Sequence, residues 1–156
     1  MFSTVHGTVG AIIGKATGNI FLGFAGGFLA HFLFDAIPHG DENLIADADH
    51  ITPAEIRYAG AIGIIDLLVM IFLLIVLNQF GQLPTEWAVL SGMVGGLFPD
   101  FLNGCYMILK WKIFKPISDI HFGFHKILTK RELTLKQGLI VQTITLTIIL
   151  GVLITF

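Results

Sequence analysis

The sequence predicts an all-α protein that forms an integral membrane helical bundle. Of its 156 residues 54% are hydrophobic and only 13% are charged, and the mean hydropathy is +0.83; soluble domains carry about 25% charged residues. Three stretches are also long enough to cross a hydrocarbon core, which takes about 20 apolar residues. This composition excludes a disordered chain, a nucleic-acid-binding module and an ordinary cytosolic enzyme. We therefore expect residues 1–156 to form a single transmembrane helical domain.

The first 37 residues are expected to form an N-terminal helical hairpin with a short first arm. Residues 7–16 are too few to span a bilayer, and Gly18 breaks the helical pattern. Asn19 is a suitable N-cap for a second helix over residues 20–37. Small residues are frequent in both arms and let helix backbones approach closely, as packing within lipid requires. The first arm is therefore expected to be re-entrant or packed into the bundle.

Three long spanning helices are expected to follow, over residues 53–77, 84–109 and 132–156. The first has Thr52 as its N-cap and Pro53 in its first turn, and Asp66 alone interrupts its apolar run from residue 62 to 77. The second also opens with a proline, Pro84. The threonines of the third are tolerated in lipid because a helical threonine hydroxyl can bond back to its own backbone.

Charged residues indicate how this bundle is oriented. If the three long helices alternate in direction, the loops 38–52 and 110–130 lie on one side, and that side collects every lysine and arginine except Lys15. The positive-inside rule places such a side in the cytoplasm. We therefore expect an integral protein of the inner membrane with cytoplasmic basic loops. Cys105 is the single cysteine, which excludes an intramolecular disulfide and a thiolate metal cluster.

Ionisable residues within the apolar helices are the candidates for chemistry. An unpaired charge in hydrocarbon costs at least about 2.5 to 3.5 kcal/mol, so such residues usually face the bundle interior and have partners. His31 and Asp35 are four residues apart, which places them on one helical face. An imidazole and a carboxylate in this relation can bind one metal ion. The alternative is a hydrogen bond that merely neutralises two polar groups.

Further imidazoles and carboxylates are expected at the same end of the bundle, and they extend the predicted metal site to His6, His31, Asp35, His39, Asp100, His121 and His125. Histidine and carboxylate donors without cysteine favour zinc, with manganese or ferrous iron as alternatives, in a site with an open position. Asp66 and Asp41 are the candidates for a general base. The alternatives for Asp66 are a further metal ligand, a residue that orients a histidine, or one half of an ion pair. Asp41 has the alternatives of extending the metal site or being a solvated loop residue.

Four short motifs carry a resemblance to a known family. They are His6 before a glycine-rich helix, the H-x-x-x-D of His31 and Asp35, the P-D of Pro99 and Asp100, and the histidine-glycine-histidine segment 121–125. Together they resemble the small inner-membrane proteins described as predicted metal-dependent hydrolases, whose helical cores look similar to zinc phospholipases and related nucleases. The motif order is altered, because that family places its H-x-x-x-D helix after the other two motifs.

The resulting hypothesis is a divalent-metal-dependent hydrolase of the membrane with its active site at the cytoplasmic face. Its expected partners are the lipid bilayer and a phosphodiester or phospholipid-like substrate, with no nucleic acid. Two alternatives stay open. Asp66, an isolated acid in a spanning helix, is typical of proteins that translocate protons or metal ions. A non-enzymatic membrane scaffold would use the histidines only for hydrogen bonds.

Overall fold

The computed structural model describes residues 1–40, 44–45, 50–84, 86–125, 127 and 133–155. Every regular element in these residues is helical, as predicted. A short 3₁₀ turn, Lys112–Phe114, precedes α5. The six α-helices, in chain order, are α1 (Ser3–Thr17), α2 (Ile20–Asp35), α3 (Pro53–Gln79), α4 (Trp87–Leu109), α5 (Lys115–His125) and α6 (Leu135–Thr155).

Local capping signals explain how the first three helices begin. Asn19 accepts hydrogen bonds from the main-chain N–H groups of Phe21 and Leu22, and Gly18 has the left-handed φ of 59° that ends α1. This confirms the predicted break between the two arms of the hairpin. Thr52 and Glu55 form a reciprocal capping box at the start of α3, so the predicted N-cap of that helix is also confirmed.

Helix α4 lies at the centre of the fold, against both α1 and α2. Two glycines make this close packing possible, because a Cβ atom at Gly92 would collide with the main-chain carbonyl of Gly10. A Cβ atom at Gly96 would collide with the carbonyl of His6. The helix continues through Pro99, which lies fully buried inside it. The hairpin of α1 and α2 is therefore held directly against the backbone of α4.

Helices α3 and α6 are joined to the other helices by buried polar groups. Asp66 of α3 accepts hydrogen bonds from the main-chain N–H of Thr4, at 3.2 Å, and from the Thr4 hydroxyl. Gln142 of α6 accepts a hydrogen bond from the N–H of Phe2 at 2.7 Å and donates one to the carbonyl of His39 at 3.0 Å. Both contacts fix the first turn of α1, from which His6 projects.

Two apolar clusters form the core. One, which includes Ala11, Leu77, Val89 and Leu153, joins α1, α3, α4 and α6. The other contains Met1, Val5, Val9 and Ala30 and joins α1 to α2, with side chains of α6 packed on it. Buried polar groups need partners, and the buried histidines and aspartates of the described residues lie together at the end where α1 begins and α2 ends.

The prediction of three long spanning helices is corrected to two within the described residues. Helices α3 and α6 are long and apolar enough to cross a membrane, and only 17% of the most apolar window of each is buried. Helix α4 has 23 residues, but Pro99, Asp100, Asn103 and its glycines lower its hydropathy. Those residues serve contacts with α1, α2 and α5, which explains why the helix at the centre of the bundle is less apolar than its neighbours.

Candidate metal centre

Four helices deliver histidine and aspartate side chains to one end of the bundle. The turn structure of each helix sets their spacing, because residues four apart lie on one face. The residues involved are His6 from α1, His31 and Asp35 from α2, His39 just beyond it, Asp100 from α4, and His121 and His125 from α5. All seven predicted ligands therefore lie in one cluster, although α2 ends at Asp35 and not at the expected residue 37.

A first donor group consists of His31, Asp35, Asp100 and His121, whose candidate ligand atoms all lie within 4.8 Å of one another. His31 Nε2 is 2.9 Å from Asp35 Oδ2, 3.3 Å from His121 Nδ1 and 3.6 Å from Asp100 Oδ1. His121 Nδ1 is 3.5 Å from Asp35 Oδ2. Ligand atoms about 2.0 to 2.2 Å from a tetrahedral zinc ion lie about 3.3 to 3.6 Å from one another. The group thus has dimensions that could hold a metal ion.

The orientation of His31 also suits a metal ligand. Its Nδ1 lies 2.8 Å from the main-chain carbonyl oxygen of Gly96, which can only accept, so Nδ1 carries the proton. In the neutral ring the lone pair is then on Nε2, which points at the carboxylate of Asp35. Asp35 Oδ2 is buried and lacks a hydrogen bond of acceptable geometry within the described residues. A cation between these two atoms, either a proton on Nε2 or a metal ion, makes their approach favourable. Against the lowering effect of burial, Asp100 and Asp35 raise the pKa of His31.

His121 is neutral at pH 7 because burial lowers its pKa to about 3, against the raising effect of Asp35. A neutral imidazole is the form that binds a metal. Helix α5 is held in place by a hydrogen bond that Ser118 donates to Asn103 Oδ1 at 2.8 Å, with both residues buried. This contact joins α5 to α4 and positions His121 beside His31.

A second donor group consists of Asp35, His39 and His125. Asp35 Oδ1 is 3.8 Å from His39 Nε2, and Asp35 Oδ2 is 3.7 Å from His125 Nε2. His6 lies outside both groups but beside them, with its Nε2 at 3.0 Å from Asp35 Oδ1 and its ring stacked on that of His31. The α-amino group of Met1 also contacts Asp35 Oδ1. Asp35 is therefore the centre of the whole cluster.

The cluster opens into a cavity of about 320 Å³ between α1, α3, α4 and α5. Asp100, His121 and His125 line its polar part. The remaining wall is mainly apolar, with Ile62 from α3 and Phe122 from α5 among its side chains. A small molecule could therefore reach the donor groups with a polar end while an apolar part contacts the wall.

Of the two residues predicted as general bases, the structure describes only Asp66. Asp66 lines the same cavity, but its carboxylate caps α1 through Thr4. Asp41 lies outside the described residues. Sequence reasoning missed Gln142, Ser118 and Asn103, which are buried and hold the ligand-bearing segments. The signal for Gln142 was an amide inside the apolar part of α6, since a buried amide requires partners.

Comparison with known proteins gave no family model, no curated protein and no solved structure that matches this chain.

Proposed function

We propose that this protein is a membrane-embedded, divalent-metal-dependent hydrolase that acts on a phosphodiester or phospholipid-like substrate. The observation that carries the proposal is the convergence of His31, Asp35, Asp100 and His121 on one point at the wall of a cavity. These residues come from three helices, and a buried carboxylate needs positive charge nearby. A metal ion would supply this charge together with the α-amino group of Met1. Membership of the membrane-bound metal-dependent hydrolases is part of the same proposal.

The donor set favours zinc, with manganese and ferrous iron as alternatives, because it combines imidazole nitrogen with carboxylate oxygen. When bound, such an ion supplies Lewis acidity and makes water a nucleophile at neutral pH. The first donor group would hold the ion. A hydrogen bond from the opposite ring nitrogen to the main chain orients a ligand histidine, as the bond from His31 Nδ1 to the Gly96 carbonyl does. Asp100 is about one-third exposed at its side chain, which leaves this corner of the site accessible from the cavity.

The cavity supports an amphiphilic substrate. Its polar end contains ligand atoms, while Ile62, Met107 and Phe122 offer apolar contacts, and its volume of about 320 Å³ is at the lower limit of small-molecule pockets. A phosphoester group would lie at the donor group and an apolar chain along the wall. Asp66 borders this cavity, and its role as general base stays a prediction.

The exposed apolar faces of α3 and α6 support a location in the membrane. Ile64, Leu68 and Phe72 of α3 are each more than 60% exposed, and an apolar surface of this extent is unfavourable in water. In the proposed orientation the donor groups lie at the cytoplasmic face of an inner membrane. Lys110, Lys112 and Lys115 support it, because they follow α4 beside the helix that carries His121.

A metal titration and a hydrolysis assay test the proposal. Protein purified in detergent and stripped with chelator is titrated with Zn²⁺ or Mn²⁺ and then assayed on micellar phospholipid for release of a phosphorylated headgroup. His31→Ala and Asp35→Asn should each weaken binding at least tenfold and reduce hydrolysis to background. His50→Ala, at an exposed histidine outside the cluster, is the matched control and should change neither quantity.

Three outcomes would contradict the proposal. Failure of both ions to bind stoichiometrically would remove the metal centre. Binding that His31→Ala leaves unchanged would place the ion elsewhere. Metal binding without hydrolysis of any phosphodiester would leave a metal protein of another function, and ion flux into liposomes that Asp66→Asn abolishes would then identify a transporter.

A further inference from the structure

Helices α3 and α6 border a second cavity, which we name the lateral groove. Its walls include residues 62–69 of α3 and 139–146 of α6, each stretch about 10 Å long at 1.5 Å per residue. Phe2 and Val5 of α1 form its floor, and its volume is about 320 Å³. The wall residues that matter for its chemistry are Ile62, Ile65 and Val69 of α3 and Leu139, Gln142 and Leu146 of α6.

The lateral groove is bounded at one end and open along its side. Beyond that end, Leu77 of α3 and Leu153 of α6 belong to one buried apolar cluster, which joins the two helices. Along the open side, Ile65, Val69 and Leu139 are between 46% and 63% exposed. Within the described residues, α3 and α6 are the helices long and apolar enough to cross a membrane. In the proposed membrane location the open side therefore faces hydrocarbon.

The polar side chains that line the lateral groove are engaged within the protein. Thr4 and Asp66 bond to each other, and Gln142 bonds to main-chain groups at the start of α1 and after α2. The Thr143 hydroxyl donates to a carbonyl of its own helix. A ligand would thus meet mainly apolar side chains, and walls without a neighbour lose their dispersion contacts. These properties suit a hydrocarbon chain.

The lateral groove adjoins the cavity at the donor groups, because Phe2, Ile62 and Asp66 line both. We propose that the lateral groove binds an acyl chain of a phospholipid whose headgroup lies at the donor groups. This inference deepens the proposed function and rests on it. It specifies the substrate as a membrane lipid that is reached from within the bilayer, and not a water-soluble phosphodiester.

Native mass spectrometry tests lipid binding without relying on metal or activity. Chelator-treated, full-length protein in detergent is mixed with dipalmitoyl phosphatidylglycerol, and one lipid per chain should be retained. Ile65→Trp and Leu139→Trp fill the groove from opposite walls at exposed positions, so each should lower retention about tenfold by displacing contacts of the chain. Leu68→Trp and Ile144→Trp, at exposed positions outside the groove, are the matched controls and should retain the lipid.

Equal retention in all four variants would overturn the lipid site. A dimer of this chain that only Ile65→Trp and Leu139→Trp dissociate would also overturn it, because a second copy would then occupy the groove.

A kinetic comparison tests whether the retained chain belongs to the substrate. Ile65→Trp and Leu139→Trp should raise KM for dipalmitoyl phosphatidylglycerol about tenfold with kcat unchanged, the pattern of lost substrate binding. Their kcat/KM for bis(p-nitrophenyl) phosphate and their affinity for Zn²⁺ should stay the same. Hydrolysis of the lipid with an unchanged KM in both variants would overturn the inference and leave the proposed hydrolase intact. Lipid retained in the groove of a protein that binds no metal and cleaves no phosphodiester would instead overturn the proposed function.

Discussion

His31 donates a hydrogen bond from Nδ1 to the main-chain carbonyl of Gly96, and the same glycine lies against the carbonyl of His6. Gly96 of α4 therefore sets both the direction of the His31 imidazole and the distance between α4 and α1. This relation makes the geometry of the donor groups depend on the packing of glycine-bearing helices, and it leads to the first prediction.

Gly96→Ala should separate α4 from α1, because the new Cβ atom would collide with the His6 carbonyl. We expect a loss of about 1 to 3 kcal/mol in stability from overpacking and a metal affinity reduced about 10- to 100-fold as His31 loses its orientation. Thermal unfolding in detergent and calorimetric titration measure the two effects. Gly104→Ala, in the same helix but with open space around the position, is the control. Equal behaviour of both variants would refute the role of Gly96.

Ser118→Ala should loosen α5 from α4, because it removes the hydroxyl that donates to Asn103. Metal affinity should fall about tenfold through the less fixed His121. The change removes a single oxygen, so helix content should stay the same by circular dichroism. Asp119→Asn alters the neighbouring exposed residue, whose partner is Lys115, and should leave metal affinity unchanged. An unaltered affinity in Ser118→Ala would show that α5 is held by other contacts.

Asp66→Ala should destabilise the start of α1, because it deletes the acceptor for the Thr4 N–H and hydroxyl. The expected cost is about 0.5 to 2 kcal/mol, as for other helix N-caps, with faster hydrogen exchange over the first turn of α1. Thr52→Ala removes the exposed cap of α3 and is the control, since exchange should there increase in α3 and not in α1. Unchanged exchange in α1 together with lost hydrolysis would instead identify Asp66 as the general base.

Gln142→Leu should leave the N–H of Phe2 and one acceptor position of the His39 carbonyl without their present partner. The penalty for such buried groups is about 1 to 3 kcal/mol, and thermal unfolding in detergent measures it. Because Gln142 holds the His39 carbonyl and the His39 ring lies beside Asp35, metal affinity should also fall about tenfold in calorimetric titration. Thr143→Val removes an exposed hydroxyl of the same helix and should have little effect. Unchanged stability and metal affinity in Gln142→Leu would show that His39 is held by other contacts.

The proposed membrane location predicts which side chains contact lipid. A spin label at Leu68→Cys of α3, introduced in a protein with Cys105 replaced by alanine, should be accessible to oxygen and shielded from a water-soluble nickel complex in liposomes. A label at Lys112→Cys should show the opposite preference. Residue 68 is 61% exposed, so the label itself needs no repacking. Nickel access at residue 68 would mean that α3 faces water.

Local signals in the sequence were sufficient for the starts of α2 and α3 and for much of the donor cluster, but not for α5, which lies inside the stretch 110–130 that was predicted to be a loop. Asn19 and Thr52 cap helices through their own neighbouring N–H groups, and the spacing of His31 and Asp35 places them on one face in any α-helix. The arrival of His121 at the same point was also predicted, because alternating helices return the chain to the same end. Such features depend on a few adjacent residues or on chain direction alone.

Pairings between helices could not be predicted in this way. Whether Asp66 faces Thr4, or Gln142 faces His39, depends on how each helix is rotated about its axis, and apolar helices such as α3 and α6 carry little periodic signal to fix that rotation. The prediction that residues 84–109 span the membrane was wrong for a related reason. It rested on the length of this stretch, whereas in α4 the glycines accommodate the backbones of α1 and α2.

The donor atoms come from residues as far apart as His31 and His125, and helix α5 supplies the last of them. During synthesis, residues that precede α5 can complete the packing of α1, α2 and α4, yet they provide only an incomplete coordination sphere. An ion that requires ligands from both α2 and α5 would be retained only after α5 has packed against the other helices. Metal loading would then report that the chain has finished assembling, and a truncated or misassembled copy would stay inert towards the surrounding lipids.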